Sequence, residues 1–322
     1  MDTAGNSLPA SGWQKALFVL PALLLTLVIV IFPTIFGLLV SFTSWTRTGT
    51  TLDGPGDGFI LTRLADMIGD IWTAIRETWS GFTNLRELWH DNAYRTSLKN
   101  NFIFAFVGVP IQFLVALGLA LLLNQEIRGR KFFRVAFLLP FMISPIAVGW
   151  MIGKAIFDAR FGPFAKIARE LDITLTFYDT GPKAVFWLII MNAWYAIPFV
   201  MVMLLAGLQA MPPEIFEAAK IDGGGRWQTF KDITFPLLLP VSLTAVVLRL
   251  IFEFKLIDII QVVTGGGPGD ASQTVSLYVY KAGYLSGDIG YATAMAEVFL
   301  IVVIVVVVLL LATVGRFVRR LY

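Results

Sequence analysis

The sequence predicts an all-α polytopic membrane protein with six transmembrane helices, and three observations lead to this fold class. Of the 322 residues, 57% are hydrophobic and 15% are charged, whereas a soluble domain averages about 45–50% apolar and about 25% charged residues. The mean hydropathy is +0.76. The apolar residues are also grouped in blocks of about 20 or more, the length of helix that crosses a hydrocarbon core of about 30 Å. This composition excludes an ordinary cytosolic enzyme and a disordered chain.

Six blocks are long enough to span the hydrocarbon core. Each must be helical, because a lone strand cannot satisfy its backbone in lipid. The fifth block carries charges and has the weakest hydropathy. The first block could alternatively be a signal peptide, but it is longer than the apolar core of such a peptide and no small-residue cleavage site follows it. We predict spans over 16–42, 101–123, 132–153, 184–208, 236–260 and 291–315.

The distribution of basic residues predicts that both termini face the cytoplasm. The inner segments are then 1–15, 124–134, 209–235 and 316–322, and the outer segments are 43–100, 154–183 and 261–290. Lys and Arg are about twice as dense in the inner set, in agreement with the positive-inside rule. The outer segment 43–100 is too short for a catalytic domain and could form a small cap or a docking surface. The clearest inner basic clusters are Arg128, Arg130, Lys131 and Arg134, and then Arg316, Arg319 and Arg320.

The chain lacks the residues that several kinds of chemistry require. It has no cysteine and a single histidine, His90, which excludes disulfides, thiolate metal sites and a two-histidine metal site within the chain. Neither a P-loop nor a nucleophile-elbow or H-E-x-x-H pattern occurs. We therefore predict no catalytic residue, no metal site and no cofactor in this chain. Energy for uphill transport must come from a partner or from a coupling ion.

The inner segment 209–235 has the features of two short helices joined by a turn. Pro213 suits the first helical position, and the acidic residues Glu214 and Glu217 favour the positive end of the first helix. Gly223, which follows Asp222, can adopt the left-handed backbone of a helix C-terminus. A second helical turn is expected to end at Pro236. The segment is either a docking device or an ordinary re-entry loop.

These residues also carry a family resemblance. Glu217-Ala218-Ala219 with Asp222-Gly223, followed by Phe230, Ile233 and Pro236, resembles the EAA loop of permease subunits in binding-protein-dependent ABC importers. Three further segments resemble the maltose-transporter-type carbohydrate permeases within that group, and the likeness covers about residues 10–320. They are Thr264-Gly-Gly-Gly-Pro-Gly269 after Phe254-Lys-Leu-Ile-Asp258, Tyr278-x-Tyr280, and Gly290-Tyr291-Ala292-x-Ala294.

The resemblance implies a multi-pass protein of the bacterial inner membrane and a set of partners. These are a second, homologous permease chain, two ATPase subunits that bind ATP and Mg²⁺, and a periplasmic solute-binding protein that delivers a sugar. It also implies that the EAA helix sits in a cleft of an ATPase subunit. The residues then expected to couple ATP hydrolysis to transport are Glu217, Ala218, Ala219, Asp222 and Gly223.

Ionisable residues within the predicted spans are costly, and they usually face protein or a water-filled cavity. Arg249 lies about 18 Å into the fifth block at 1.5 Å per residue, close to the midplane, and it shares a helix face with Glu253. The two residues could line a translocation site, or they could only neutralise each other. Lys255 and Asp258 are spaced as a second pair, for which mutual neutralisation is the favoured interpretation.

The fourth block has a face that suits a sugar. Asn192, Tyr195 and Phe199 recur at i, i+3 and i+7, which places them on one side of a helix. The family resemblance places sugar contacts in this block and at the level of Arg249 and Glu253. An amide can hydrogen-bond hydroxyl groups, and aromatic rings can stack on sugar C–H faces. Packing between helices is the alternative role for this face.

The buried Arg249 raises the hypothesis that the substrate carries a sulfonate, phosphate or carboxylate, because guanidinium binds such groups bidentately. Glu253 as an internal counter-ion is the competing account. An ion-coupled secondary transporter is the main alternative function, but the inverted repeat typical of such proteins is not visible. A membrane scaffold without transport would leave the midmembrane charges unexplained.

Overall fold

The computed structural model describes residues 12–46, 69, 71–73, 75–172 and 176–318. Parts of the predicted segments 1–15, 43–100 and 316–322, including Arg319 and Arg320, lie outside these residues. In the described part the regular elements are helices, and extended segments pair only through isolated bridges. The α-helices are α1 (Gly12–Thr26), α2 (Phe32–Val40), α3 (Thr83–His90), α4 (Asn92–Ile103), α5 (Val109–Asn124), α6 (Arg130–Met142), α7 (Pro145–Val148), α8 (Pro163–Glu170), α9 (Gly181–Gln209), α10 (Pro213–Ile221), α11 (Arg226–Thr229), α12 (Phe235–Phe254), α13 (Asp258–Val263), α14 (Val275–Tyr280) and α15 (Ile289–Val318).

Several of these helices run on into one another through wider π-helical turns. Such turns occupy Leu27–Ile31, Phe104–Gly108, Gly149–Ile156, Phe230–Thr234 and Lys281–Leu285. The chain divides into two compact units. The first takes the described residues up to Trp89 together with Ala282–Glu297, and the second takes His90–Lys281 and the residues from Val298 onward.

The predicted all-α polytopic membrane fold is confirmed by the lengths and apolar character of the helices. In the described residues five helical segments are long and apolar enough to cross a bilayer, and a bent pair of helices provides a sixth span if it is counted as one. The orientation with both termini inside stays a prediction. The five segments are Leu17–Val40, Asn92–Asn124, Gly181–Gln209, Arg226–Val263 and Ile289–Thr313.

The third predicted span, 132–153, differs from a single straight helix. Helix α6 and the segment Pro145–Ile156 meet at an angle of 94°. Ile143 and Ser144 have extended backbone angles, as expected for a residue before proline, which disfavours the helical region. The Ser144 hydroxyl then accepts a hydrogen bond from the backbone N–H of Ala147 at 3.2 Å and caps the new helix.

The fifth predicted span, 236–260, is interrupted near its C-terminal end. Helix α12 stops at Phe254, and α13 begins again at Asp258. Its N-terminal end also differs from the prediction, because Pro236 does not end a helix: the chain stays helical from Arg226 through to Phe254. The π turn at Phe230–Thr234, which ends two residues before Pro236, widens the backbone where the proline ring would otherwise meet the preceding turn.

The second unit contains two hydrophobic clusters at successive levels of α9. One cluster includes Leu188 and Met191 with Ile259 and Ile260 of α13. The other joins α9 to α5 and α12, and its members include Met201, Leu204, Leu208, Ala116, Leu123 and Leu238. The stretch of α9 between these clusters carries Asn192, Tyr195 and Phe199, so the polar and aromatic residues of this helix lie between two packed apolar layers.

The first unit is held by hydrogen bonds around the end of α2. The buried Asn84 amide donates to the carbonyls of Ser41 and Thr43 at 2.9 and 2.7 Å. The backbone N–H of Gly290, near the start of α15, donates to the carbonyl of Trp45 at 2.9 Å. A Cβ atom at Gly290 would collide with the backbone of Thr43. This close approach explains a glycine at the start of the last membrane helix.

Two glycines in the bent span let α13 pack against it closely. A Cβ atom at Gly149 would lie 3.1 Å from the side chain of Val262, and one at Gly153 would overlap Val263. We therefore expect Gly153→Val to destabilise the second unit by about 1–3 kcal/mol, the usual cost of overpacking a close contact. The measurement is the loss of monodisperse protein after stepwise heating in detergent.

The matched control for this prediction is Gly118→Val. Gly118 also lies in a membrane helix, but a Cβ atom added there meets nothing within 4 Å. This variant should change stability only through helix propensity, by a few tenths of a kcal/mol and in the favourable direction, because valine is a better helix former than glycine. Equal melting of the two variants would contradict the close contact between the bent span and α13.

Candidate functional site

A cavity of about 240 Å³ lies between α6, α7, α9, α12 and the first residue of α13. Four of the five residues predicted to contact substrate line it, namely Asn192, Tyr195, Phe199 and Arg249. The fifth, Glu253, lies behind the cavity wall and is fully buried. The other lining residues are Phe141, Pro145, Ala196, Phe252, Lys255, Leu256 and Asp258.

The aromatic residues form one wall of the cavity. The ring of Phe141 lies 5.5 Å from the rings of both Tyr195 and Phe199, centroid to centroid. Phe199 also meets Phe252 edge to face at 6.0 Å. These rings therefore pack between helices and line the cavity at the same time, so the two roles considered for this face of α9 are compatible.

Four buried polar side chains from three helices form a single hydrogen-bonded network beside the cavity. Arg249 and Glu253 of α12 are paired through Nη2 and Oε2. Asn192 of α9 donates through Nδ2 to Glu253 Oε1 at 2.6 Å. Gln112 of α5 accepts from Arg249 Nε at 2.6 Å and donates to Glu253 Oε2 at 3.4 Å. All four residues are at most 6% exposed.

The network compensates the charges that it buries. A charge in an apolar interior is tolerated when it is paired and its remaining donors and acceptors are satisfied. Glu253 meets both conditions, because Arg249, Gln112 and Asn192 all contact its carboxylate. Of the three nitrogens of the Arg249 guanidinium, Nε and Nη2 are engaged in this way.

Sequence reasoning missed Gln112, although a signal for it was present. It is the one polar side chain in the apolar run from Phe102 to Leu123, and an isolated amide in a membrane helix requires a partner. Gly108, one turn earlier, makes room for that partner: a Cβ atom there would lie 3.3 Å from Glu253 Oε1. The location of the partner on α12 could not be read from the sequence.

The second predicted ion pair is absent from the described residues. Lys255 and Asp258 both line the cavity, but the ion pairs in the described part of the chain join Lys183 to Asp179 and Arg249 to Glu253. The expectation that Lys255 and Asp258 neutralise each other is therefore wrong. It assumed an uninterrupted helix with i, i+3 spacing, whereas the chain leaves the helix between the two residues.

The EAA segment forms α10 and the turn that follows it. Ala219 is buried, whereas Glu217 and Ala218 are exposed. The helix ends in a Schellman motif: Gly223 has φ +76°, its N–H donates to Lys220 O at 3.1 Å, and the N–H of Gly224 donates to Ala219 O at 2.9 Å. The turn thus requires the left-handed backbone at Gly223.

Large apolar side chains remain exposed beside this turn. Ile221 is 86% exposed and Trp227 is 73% exposed. Trp227 and Phe230 also line a second cavity, of about 530 Å³, together with Lys220 and Arg226. Exposed apolar side chains rimmed by polar groups are typical of a protein interaction surface.

The sequence matches a family described as "binding-protein-dependent transport system inner membrane component" over residues 98–321. A curated relative, the trehalose/maltose transport system permease protein MalF of Thermococcus litoralis, is 34% identical over 73% of this chain and 77% of its own. The sn-glycerol-3-phosphate transport system permease protein UgpA of Agrobacterium fabrum is 32% identical over 69% of this chain and 76% of its own.

A solved structure has a similar fold. It is that of a bacterial alginate ABC transporter in complex with an alginate pentasaccharide-bound periplasmic protein. The TM-score is 0.74 at 20% identity, and the match covers 95% of each chain. The chain therefore belongs to the family of inner-membrane components of binding-protein-dependent transport systems.

Proposed function

We propose that this chain is the permease subunit of an ABC importer that takes up a sugar or an oligosaccharide. Membership of the family supports the transport role. A sugar as substrate is supported by relatives that are named as transport proteins for trehalose and maltose or for starch degradation products. The observation that carries the proposal is the cavity in which Asn192 and Arg249 face the aromatic wall of Tyr195 and Phe199.

The chemistry of this cavity suits a sugar. The Asn192 amide can donate to and accept from hydroxyl groups, while the faces of Tyr195 and Phe199 offer apolar surface to C–H groups. The cavity is smaller than the 300–1,000 Å³ of a typical ligand pocket, since its volume is about 240 Å³. This size supports a pathway shared with a second, homologous permease, in which each chain supplies part of the lining.

Coupling to ATP hydrolysis is proposed for the other end of the molecule. Glu217 and Ala218 are exposed on α10, and the Gly223 turn orients this helix beside exposed Ile221 and Trp227. We propose that this surface docks on an ATPase subunit, that two such subunits bind ATP and Mg²⁺, and that a periplasmic binding protein delivers the sugar. Co-purification of an ATPase subunit with this chain would support the proposal, whereas uptake without one would favour an ion-coupled secondary transporter.

The buried ion pair bears on whether the substrate carries a charge. We propose that Glu253, rather than an anionic group of the substrate, balances Arg249. Support comes from the buried pairing of these residues and from the use of Arg249 Nε by Gln112. A sulfonated or phosphorylated glycoside, suggested by the sequence, is the opposing prediction.

The variant Arg249→Gln/Glu253→Gln separates the two accounts, because it removes both charges and keeps the site neutral. If Glu253 balances Arg249, uptake of neutral maltose and of an anionic glycoside should fall by the same factor in proteoliposomes. Selective loss of the anionic glycoside, by about tenfold or more relative to maltose, would instead show charge recognition by Arg249.

A further inference from the structure

The break between α12 and α13 borders the cavity and is stabilised by hydrogen bonds from other segments. The Phe254 carbonyl accepts hydrogen bonds from Asn101 Nδ2 at 3.0 Å and Ser276 Oγ at 3.4 Å. The Leu256 carbonyl accepts one from Thr274 Oγ1 at 2.8 Å. Irregular backbone at membrane depth is tolerated where it is buried in protein or lines a water-filled cavity. Side chains from two other segments thus hold this break open beside the cavity.

Two charged residues flank the break, and among the described residues neither side chain has a hydrogen-bond or ion-pair partner. Lys255 is exposed and Asp258 is half-buried, and both line the cavity. Within the described part of the chain, neither side chain takes part in an ion pair or a hydrogen bond. Asp258 is the first residue of α13, and its carboxylate accepts no hydrogen bond from the backbone N–H groups at that end of the helix. Mutual pairing and helix capping therefore leave both residues unexplained.

We propose that Lys255 and Asp258 form a second polar contact site for the sugar, toward the outer end of the cavity. This inference rests on the proposed function and adds residues that the sequence assigned to mutual neutralisation. The Lys255 ammonium can only donate hydrogen bonds, and the Asp258 carboxylate can only accept them. A sugar hydroxyl group does both, so neighbouring hydroxyls can bind to the two residues together.

The position of this site separates it from the buried network. Lys255 follows Arg249 by six positions, which corresponds to roughly 9 Å along the helix at 1.5 Å per residue. A sugar bound near Asn192 and Arg249 would therefore reach Lys255 and Asp258 with a different set of hydroxyl groups. The two residues carry opposite charges, so together they favour a neutral polyhydroxy ligand over a free cation or anion.

The first test is equilibrium binding of a tritiated sugar to the purified complex without its binding protein. The probe is the disaccharide, chosen from maltose, trehalose, cellobiose and lactose, that the wild-type complex transports fastest in proteoliposomes. Lys255→Met and Asp258→Asn should each raise the Kd about tenfold. The matched controls Lys183→Met and Asp179→Asn remove an exposed pair outside the cavity and should change the Kd less than twofold. An unchanged Kd in both cavity variants would overturn the proposal.

Deoxy analogues of the same probe provide a second measurement that a misfolded variant cannot mimic. If Lys255 binds a hydroxyl group, the monodeoxy analogue that lacks this group should bind the wild type about tenfold more weakly than the parent sugar does. The Lys255→Met variant should bind that analogue and the parent sugar with equal Kd. If every analogue loses the same factor in both proteins, Lys255 does not contact the sugar. Failure of the wild-type complex to transport any sugar in a panel of mono-, di- and oligosaccharides would instead contradict the proposed function itself, and this site with it.

Discussion

Replacing Glu217 with lysine is expected to abolish sugar uptake while the chain still accumulates in the membrane. Glu217 is exposed on α10, so its replacement removes no buried contact within this chain. If α10 docks on an ATPase subunit as proposed and Glu217 meets basic groups there, the reversed charge would place like charges together, which costs several kcal/mol. The measurement combines uptake with the amount of ATPase subunit that co-purifies. The control is Glu214→Lys, which makes the same charge change on the same helix and should retain more uptake. Wild-type uptake by Glu217→Lys would show that Glu217 does not belong to the coupling surface.

The turn after α10 allows a companion test of the same surface. Gly223→Asp is expected to abolish uptake as well, because it adds a charged side chain at the turn, where the added Cβ meets nothing within 4 Å in this chain. Gly223→Ala tests the backbone alone, since a left-handed conformation costs a non-glycine residue about 1–2 kcal/mol. Gly225→Ala is the control, because Gly225 has φ −69° and open space around it. Equal behaviour of the two alanine variants would show that the left-handed turn is dispensable.

The second large effect is expected at the buried ion pair. Removing one partner leaves an uncompensated charge in the interior, which typically costs 3–5 kcal/mol. Glu253→Gln and Arg249→Gln should therefore each lower the thermal stability of the complex strongly and reduce uptake. Heating followed by gel filtration in detergent measures the first effect, and proteoliposome uptake measures the second.

The double variant Arg249→Gln/Glu253→Gln supplies the control for this prediction. It removes both charges, so it should be more stable than either single variant, with a coupling energy that is well above zero. Additive losses would mean that the two residues do not compensate each other. Uptake should stay low in the double variant, because the Arg249 guanidinium no longer lines the cavity.

The membrane helices were predictable because their signal is long and local. An apolar block of about 20 residues admits one backbone solution in lipid, and the fold class follows from the number of blocks. The interruptions were harder to predict. The bend at Ile143 and Ser144 depends on Pro145, yet Pro236 permits a continuous helix because a π turn precedes it. The same residue type thus has opposite effects, and the local backbone decides between them.

The candidate site was predictable in part for a related reason. Helical periodicity placed Asn192, Tyr195 and Phe199 on one face, and these residues line one cavity with Arg249. The role of Gln112 depends on contacts with a segment more than 100 residues away. The roles of Lys255 and Asp258 depend on where helix α12 ends. Single-sequence patterns carry neither kind of information, so these features required the three-dimensional arrangement.

The most direct test of the account is ATP-driven uptake by the complex that contains this chain. The complex is reconstituted in proteoliposomes with its binding protein and a panel of labelled disaccharides, and ionophores remove every ion gradient. We predict uptake of at least one disaccharide that requires ATP, persists with the ionophores and is lost in Glu217→Lys. Uptake that continues without ATP and stops when the ion gradients are removed would contradict the account.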